Sequence, residues 1–220
     1  MRTGQLLNKT RSWCSGLFQR HEPIISTGFP ELDSMLPDGG WKRASVIEIL
    51  SPATKRSPQH LIMPLLSSLN NAERWLSWIA PPEAPFGPAL AAAGVELSKI
   101  QTVQPKSAQD TLWSIEQSLC SGASSIVLGW PVFTDNTVLR RTKEAAEIGD
   151  AICVLFRSSA SVLTPSFADL RLLVDYDIDG SLMVSRVKER GGLVSDPVRI
   201  DVNHINPLAL YSLNTLLMGH

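Results

Sequence analysis

The stretch SIVLGWPVFTDNTVLRRTKEAAEIGDAICVLF, residues 125–156, decides the fold class. It begins with a short apolar run, Ser125–Trp130, continues with a charged segment of helical spacing, Asn136–Ile148, and ends with a second apolar run, Ala151–Phe156. Short, continuously apolar strands are typical of sheets whose two faces are both covered. A strand, a helix and a second strand in this order predict a parallel βαβ unit.

The same alternation extends towards the N-terminus. Phe29, Leu32 and Leu36 recur at helical spacing, and Ser26–Gly28 offers a helix cap before them. Further strands are predicted at Ser45–Leu50, Trp75–Ile79 and Ile100–Val103, and further helices at His60–Leu69, Pro88–Ala93 and Ala108–Cys120.

The pattern changes after Ala168. Two apolar runs, Leu170–Val174 and Leu182–Val187, flank Asp177–Gly180, and an Asp-Gly pair between such runs predicts a hairpin. The sequence therefore predicts an α/β fold with a mostly parallel sheet flanked by helices and an antiparallel hairpin near the C-terminus.

Composition excludes several classes of protein. The 220 residues carry a net charge of −1, with 44% hydrophobic and 19% charged residues, which is typical of a packed core and gives no strong attraction to nucleic acid or membrane. No apolar run approaches the ~20 residues of a membrane-spanning helix, and the N-terminus lacks the apolar part of a secretory signal. Three distant cysteines, Cys14, Cys120 and Cys153, indicate neither a disulfide framework nor a zinc site. We expect a cytoplasmic protein.

Three regions are expected along the chain. Residues 1–25 form a basic N-terminal extension, residues 26–202 form the α/β domain, and residues 203–220 form an apolar tail, in which Pro207–Met218 has no charged residue. Leu210, Leu213 and Leu217 of this tail share one helical face, which favours either packing onto the body or docking into a partner.

The loop where this layout would hold a nucleotide lacks the means to do so. It is predicted at Ser51–Pro58, between a strand and a helix. A phosphate loop needs glycines and consecutive N–H groups, but no glycine occurs between Gly40 and Gly87, and two prolines of the loop remove an N–H each. Lys55 therefore reads as part of a solvated basic loop, and the nucleotide site is predicted to be degenerate.

No other catalytic group replaces it. The Ser125–Trp130 strand ends in glycine and tryptophan where a magnesium-binding aspartate would be required. The four histidines show no metal-ligand spacing. We predict no catalytic residue, no metal and no cofactor, and therefore a binding protein or adaptor instead of an enzyme.

Several segments resemble the ImuA family of bacterial RecA-like proteins. They are Thr27–Trp41, Val46–Leu50, Ile126–Pro131, Leu139–Arg141, Ala168–Leu173 and Lys188–Leu193. This resemblance implies a RecA-like fold and a non-catalytic adaptor function in SOS-induced, error-prone translesion DNA synthesis. It implies an ImuB-like relative of Y-family polymerases and an error-prone DnaE-type polymerase as partners, with RecA as a further candidate. Contact with DNA would be indirect or weak, and a homodimer is compatible with the sequence.

Part of the chain also resembles SulA, the SOS inhibitor of cell division that binds the GTPase FtsZ. The matching segments are Leu61–Leu66, Arg74–Trp78, Gly94–Lys99 and Ser125–Trp130. Because this resemblance leaves Thr27–Trp41 and the C-terminal hairpin unexplained, the ImuA-like adaptor is the main prediction. A SulA-like inhibitor that binds FtsZ and blocks septum formation is the alternative.

The SulA resemblance points to residues for partner binding. The region that SulA-like proteins use to meet FtsZ corresponds here to Arg74 and Lys99, and Trp75, Trp78 and Ile79 lie on the strand between them. Strand alternation places Trp75 on one face and Arg74 with Trp78 on the other. Core packing of both tryptophans is the alternative interpretation.

A second, basic segment could contact DNA. Arg186, Lys188 and Arg190 alternate onto one face of a predicted strand and could bind phosphate groups. Neighbouring acidic residues and the net charge near zero favour a solvated edge strand, protected by its basic side chains, as the alternative.

Overall fold

The computed structural model describes residues 24–52, 58–71, 73–132, 135–187 and 194–202. The strands are β1 Ile24–Ile25, β2 Trp41–Lys42, β3 Val46–Ser51, β4 Trp75–Ile79, β5 Ile100–Val103, β6 Ser124–Gly129, β7 Ile152–Ser158, β8 Leu170–Tyr176, β9 Leu182–Arg186 and β10 Val198–Ile200. The α-helices are α1 Pro30–Met35, α2 Met63–Ser68, α3 Gly87–Ala92, α4 Ala108–Cys120 and α5 Asn136–Gly149.

The main sheet has the strand order β10-β9-β8-β3-β7-β6-β4-β5. Strands β8, β3, β7, β6, β4 and β5 run parallel to one another, whereas β9 and β10 are antiparallel additions at one edge. The predicted mixed α/β fold with a mostly parallel sheet flanked by helices is confirmed. The narrower assignment to the RecA-like class stays a prediction, and so does the degenerate nucleotide site, because residues 53–57 lie outside the described part.

Apolar side chains cover both faces of the sheet, as the continuous apolar strands predict. One core contains Ile47, Ile49, Trp78 and Phe156 and packs against the side of α1, α2 and α3. The other contains Val46, Val127 and Leu155 and packs against α4 and α5. Helices therefore lie on both sides of the parallel strands.

Local capping fixes the two long helices. The Ser107 Oγ accepts a hydrogen bond of 3.0 Å from the Asp110 N–H at the start of α4. The Asp135 carboxylate accepts one of 2.8 Å from the Val138 N–H at the start of α5. These caps satisfy N–H groups that have no partner inside the helix, and each long helix begins where the sequence predicts it.

Other local predictions differ from the structure. The cap predicted at Ser26–Gly28 is wrong, because Phe29 occupies the N-cap of α1 and makes no side-chain cap. The predicted single helix His60–Leu69 is divided: the 3-10 turn Gln59–Ile62 precedes α2, and Pro64, which has no N–H to donate, lies in the first turn of α2. The Asp177–Gly180 turn is present and joins β8 to β9, with the Gly180 N–H 3.0 Å from the Asp177 carbonyl oxygen.

Two regions of the sequence prediction fall mainly outside the described residues. Of the N-terminal extension, only Ile24 and Ile25 are described, and they form β1, which pairs with β2. The tail 203–220 lies outside. The division of the chain into three regions stays a prediction. In the described part, no helix combines the length and apolar composition that crossing a membrane requires.

Candidate functional site

The candidate site lies where β4 and β5 begin, at the edge of the main sheet. The two strands are parallel, with Leu76 opposite Ile100, so Trp75 and Lys99 occupy the adjoining positions just before this pair. Backbones of neighbouring strands are about 4.8 Å apart. We call the surface formed by Trp75, Leu97 and Lys99 the β4–β5 edge surface.

Trp75 is the exposed residue of a strand that is otherwise buried. Its side chain is 45% exposed, whereas Leu76, Ser77, Trp78 and Ile79 are all buried. Its N–H donates to the Ala123 carbonyl oxygen at 2.8 Å, which fixes the backbone beside β6. A large aromatic side chain held on a rigid strand and open to solvent is typical of an anchor for a protein partner.

Leu97 and Lys99 belong to a 3-10 turn that leads into β5. Leu97 is 44% exposed. Lys99 Nζ donates to the Asn70 carbonyl oxygen and lies 3.2 Å from Glu96 Oε2. The Asn70 side chain also accepts a 3.0 Å hydrogen bond from the Glu96 N–H. This network ties the turn to the chain that precedes β4.

Hydrogen bonds within this 3-10 turn stabilise the ionised carboxylate of Glu96. The pKa of Glu96 lies below its ordinary value, first because the Ser98 hydroxyl donates to its carboxylate at 2.7 Å and then because of Lys99. Glu96 is therefore ionised at neutral pH and pairs with Lys99.

Arg74 is near this surface, but its guanidinium points into the fold. Its Nη1 donates to the Asp150 carbonyl oxygen at 2.9 Å, and its Nη2 donates to the carbonyl oxygens of Ser124, at 2.5 Å, and Gly149. Burial lowers the pKa of Arg74 from its ordinary value, the Asp150 carboxylate opposes this, and Arg43 adds to the lowering. An arginine remains protonated under such conditions.

The other predicted contacts on β4 are core residues in the structure. Trp78 is 1% exposed and Ile79 is fully buried, on opposite faces of the sheet. Neither side chain is available to a partner, because α-helices cover both faces. Core packing therefore applies to Trp78 and not to Trp75, and the predicted placement of Arg74 and Trp75 on opposite faces stays a prediction because the register of β4 with β6 shifts between Trp75 and Leu76.

The predicted DNA contacts and tail residues are only partly described. Arg186 is half-buried at the end of β9, beside a cavity of about 280 Å³ that Pro37, Asp169 and Arg171 also line. Lys188, Arg190, Leu210, Leu213 and Leu217 lie outside the described residues. DNA contact and docking of the tail stay predictions.

Sequence reasoning missed Leu97 and Asn70. Leu97 lies in the Gly94–Lys99 segment, which the SulA resemblance contains, but a leucine between polar residues reads equally well as a core residue. Asn70 has no sequence signal at all, since it lies 24 to 29 residues from the groups that its side chain and carbonyl bind.

The chemistry of the surface suits binding. Two exposed apolar side chains, a lysine and a rigid backbone match the usual anatomy of a protein interface. Within the described residues, no group of three or more His, Cys, Asp or Glu side chains is arranged to hold a metal ion.

A known protein family matches the part of the chain that contains the candidate site. The family model "Cell division inhibitor SulA" matches residues 46–153, which include β4, β5 and the whole β4–β5 edge surface. Residues 24–45 and 154–202 lie outside the match. The family match therefore covers the candidate site and does not include the N-terminal segment or the C-terminal hairpin.

Individual relatives agree with this match. The cell division inhibitor SulA of Serratia proteamaculans (strain 568) is 31% identical over 103 residues, which are 46% of this chain and 61% of the relative. SulA of Edwardsiella piscicida is 36% identical over 98 residues, 44% of this chain and 58% of the relative. SulA of Serratia marcescens is 28% identical over 126 residues, 57% of this chain and 74% of the relative. The chain thus spans less than two thirds of the length of the first two.

Among solved structures, the crystal structure of SulA from Pseudomonas aeruginosa is similar. It is 27% identical, covers 51% of this chain and 97% of that chain, and has a TM-score of 0.42. Together, the family match and the relatives relate this chain to SulA.

These findings correct the main functional prediction. The ImuA-like adaptor of translesion synthesis is wrong, because the family model and the relatives that match are SulA cell division inhibitors. The predicted ImuB-like and DnaE-type partners have no support from them. The short motifs behind that prediction, such as Ile126–Pro131, consist mostly of apolar strand residues, and many α/β proteins share such strands.

Proposed function

We propose that this protein is a SulA-like inhibitor of cell division in the SOS response, which binds FtsZ through the β4–β5 edge surface and blocks septum formation. The observation that carries the proposal is the 45% exposure of Trp75 on an otherwise buried strand. That strand lies inside the region similar to SulA. The proposed function requires a cytoplasmic protein.

The proposed mechanism is stoichiometric binding without catalysis. Trp75 supplies a large apolar contact at low entropic cost, and Leu97 extends the apolar area along the same edge. Lys99 lies at the rim in a pair with Glu96, so the rim of the proposed interface is polar. The partner surface that fits is apolar with a polar rim.

A titration of purified FtsZ with the purified protein tests this function. GTP hydrolysis and polymer sedimentation by FtsZ are measured at increasing ratios of the two proteins. We expect both to be suppressed close to a one-to-one ratio, because an inhibitor that acts by occupancy must bind each target molecule. Unchanged hydrolysis at a several-fold excess would contradict the proposal, and suppression at a ratio far below one would indicate catalysis instead.

A pair of matched variants tests the surface. Leu97→Asp places a charge within the proposed interface, and we expect inhibition to require at least about tenfold more protein. Leu163→Asp is the control, because Leu163 is an exposed leucine in the segment after β7, far along the chain from the β4–β5 edge surface. Equal loss of inhibition in both variants would show that the surface is assigned incorrectly.

A further inference from the structure

Two arginines meet at the C-terminal end of α5. Arg43 Nη2 lies 2.6 Å from Asp150 Oδ2 and 3.3 Å from the Asp150 carbonyl oxygen, and Arg43 Nε donates to Asp150 Oδ1 at 3.4 Å. Arg74 donates to the carbonyl oxygens of Asp150, Gly149 and Ser124. Residue 150 therefore receives a guanidinium from each of two distant segments.

The carbonyl groups at the C-terminal end of α5 need hydrogen-bond donors from outside the helix. The last carbonyl groups of a helix have no N–H partner within it, and the helix dipole places partial negative charge there. Asp150 adds a full negative charge at the same place, with left-handed backbone angles, φ 48° and ψ 48°. Two positive side chains offset this accumulation of negative charge.

The guanidinium of Arg74 joins three elements. Its acceptors lie at the end of α5 and at Ser124, the first residue of β6, while Arg74 itself immediately precedes Trp75 and β4. Both Nη atoms donate to backbone carbonyl oxygens, and Nε is buried without a hydrogen-bond partner among the described residues. The side chain is 21% exposed, and its three hydrogen bonds hold it against the end of α5 and the start of β6.

We propose that Arg74 is a positioning residue, which clamps the end of α5 to the start of β4 and thereby holds Trp75 in place for binding, and that Arg43 supports this clamp by holding Asp150. Arg74 then affects partner binding without touching the partner. Arg43 acts through Asp150, which both arginines bind, and it lies outside residues 46–153, which match the SulA family model. The effect of the clamp on binding rests on the proposed function, whereas its effect on Trp75 does not.

The first test follows Trp75 directly. The protein is labelled with 5-fluorotryptophan, and the Trp75 resonance is assigned in the fluorine NMR spectrum with Trp75→Phe. We expect Arg74→Gln and Arg43→Gln to shift the Trp75 resonance and to leave that of Trp113, which is 61% exposed on α4, in place. Arg141→Gln is the control, because it removes an exposed arginine from the same helix α5.

The spectrum decides whether the clamp exists. A Trp75 resonance that stays in place in both clamp variants would overturn the proposal, as would an equal shift in Arg141→Gln. If Arg74→Gln does not fold, Arg43→Gln alone decides, because its partly exposed guanidinium can be removed with less disruption.

The second test is a double-mutant cycle with FtsZ. We expect Arg74→Gln to weaken binding about tenfold in the native background and less than about twofold in Trp75→Ala, because residues that act through one another are not additive. An equal loss in both backgrounds would overturn the role of Arg74 as a positioning residue. If the native protein does not bind FtsZ, the proposed function fails, and the fluorine spectrum still decides on the clamp.

Discussion

Charged side chains are buried at the centre of the sheet but partly exposed at the β4–β5 edge surface. At the centre, Glu48 of β3 is fully buried, accepts a 2.7 Å hydrogen bond from Arg171 Nε and pairs with Arg157. At the edge, Lys99 is only partly buried and pairs with Glu96, while Trp75 and Leu97 are exposed. The Glu48 cluster is inaccessible to a partner protein, whereas the β4–β5 edge surface is exposed to solvent.

The central cluster also joins parts of the chain that differ in their likeness to SulA. Glu48 lies within the matched residues 46–153, and Arg157 and Arg171 lie beyond them. Glu48 is directly opposite Arg171 in the β3–β8 pair, and Arg171 donates to the Ser161 carbonyl oxygen at 2.7 Å. The C-terminal strands are thus joined to β3 by buried charged side chains, while the proposed binding surface lies at the other end of the sheet. Mutations should therefore separate stability from binding.

The largest effect is expected from breaking the central cluster. Glu48→Gln leaves two buried arginines without a carboxylate, and the loss of one partner from a buried ion pair costs about 3–5 kcal/mol. We expect the free energy of unfolding in urea to fall by that amount. Arg199→Ala is the control, since both partners of its pair with Asp179 are exposed and such a pair contributes at most about 1 kcal/mol. A change below about 1 kcal/mol for Glu48→Gln would contradict the assigned role.

The two tryptophans of β4 provide a second comparison within one strand. Trp78→Ala removes a buried ring and should lower the free energy of unfolding by about 3–5 kcal/mol. Trp75→Ala removes an exposed ring and should change it by less than about 1 kcal/mol. Thermal and urea denaturation of both variants measure these changes in the free energy of unfolding. Similar decreases in the two variants would mean that Trp75 also belongs to the core.

The smallest expected effect concerns Asp33 in α1. Burial alone would raise its pKa, but hydrogen bonds from Ser26 Oγ at 2.6 Å and the Thr27 N–H at 2.8 Å outweigh this, and its pKa lies below the ordinary 3.8. Because the folded state has the lower pKa, the stabilisation is present above pH 3.8 and is lost as the pH falls through the folded value.

Asp33→Asn should therefore lower stability at pH 7 by at most about 1 kcal/mol, because the carboxylate is partly exposed to water. The difference in the free energy of unfolding between the native protein and Asp33→Asn should decrease below about pH 4. Urea midpoints between pH 7 and pH 3 measure this, with Asp38→Asn, on the exposed turn after α1, as the control. If the difference in stability between the native protein and Asp33→Asn is the same at every pH, the ionised Asp33 carboxylate is not the source of the stabilisation.

The sequence predicts the strands and long helices because their patterns are strong. Ile100–Val103 and Ala108–Cys120 have the bounds in the structure that the sequence indicates. By contrast, β1 and β10 have two and three residues, which is too short to show any period. Local patterns decide local structure wherever they are long enough.

The buried charges and the site were harder to predict for a different reason. Glu48 reads as an isolated polar residue in an apolar strand, and its arginine partners are 109 and 123 residues away. The carbonyl partners of Arg74 are likewise 50 to 76 residues distant. Strand alternation separates Trp75 from Trp78, but the exposed one is identified only by the packing of neighbouring elements. Long-range contacts leave no mark on a single sequence.

The affinity of the protein for FtsZ, measured by calorimetry for the native protein and two tryptophan variants, tests the central claim most directly. We predict that Trp75→Ala weakens binding at least about tenfold while its thermal midpoint stays close to that of the native protein. Trp113→Ala, which removes another exposed tryptophan, should bind like the native protein. Native-like affinity in Trp75→Ala, or the absence of binding by the native protein, would contradict the account.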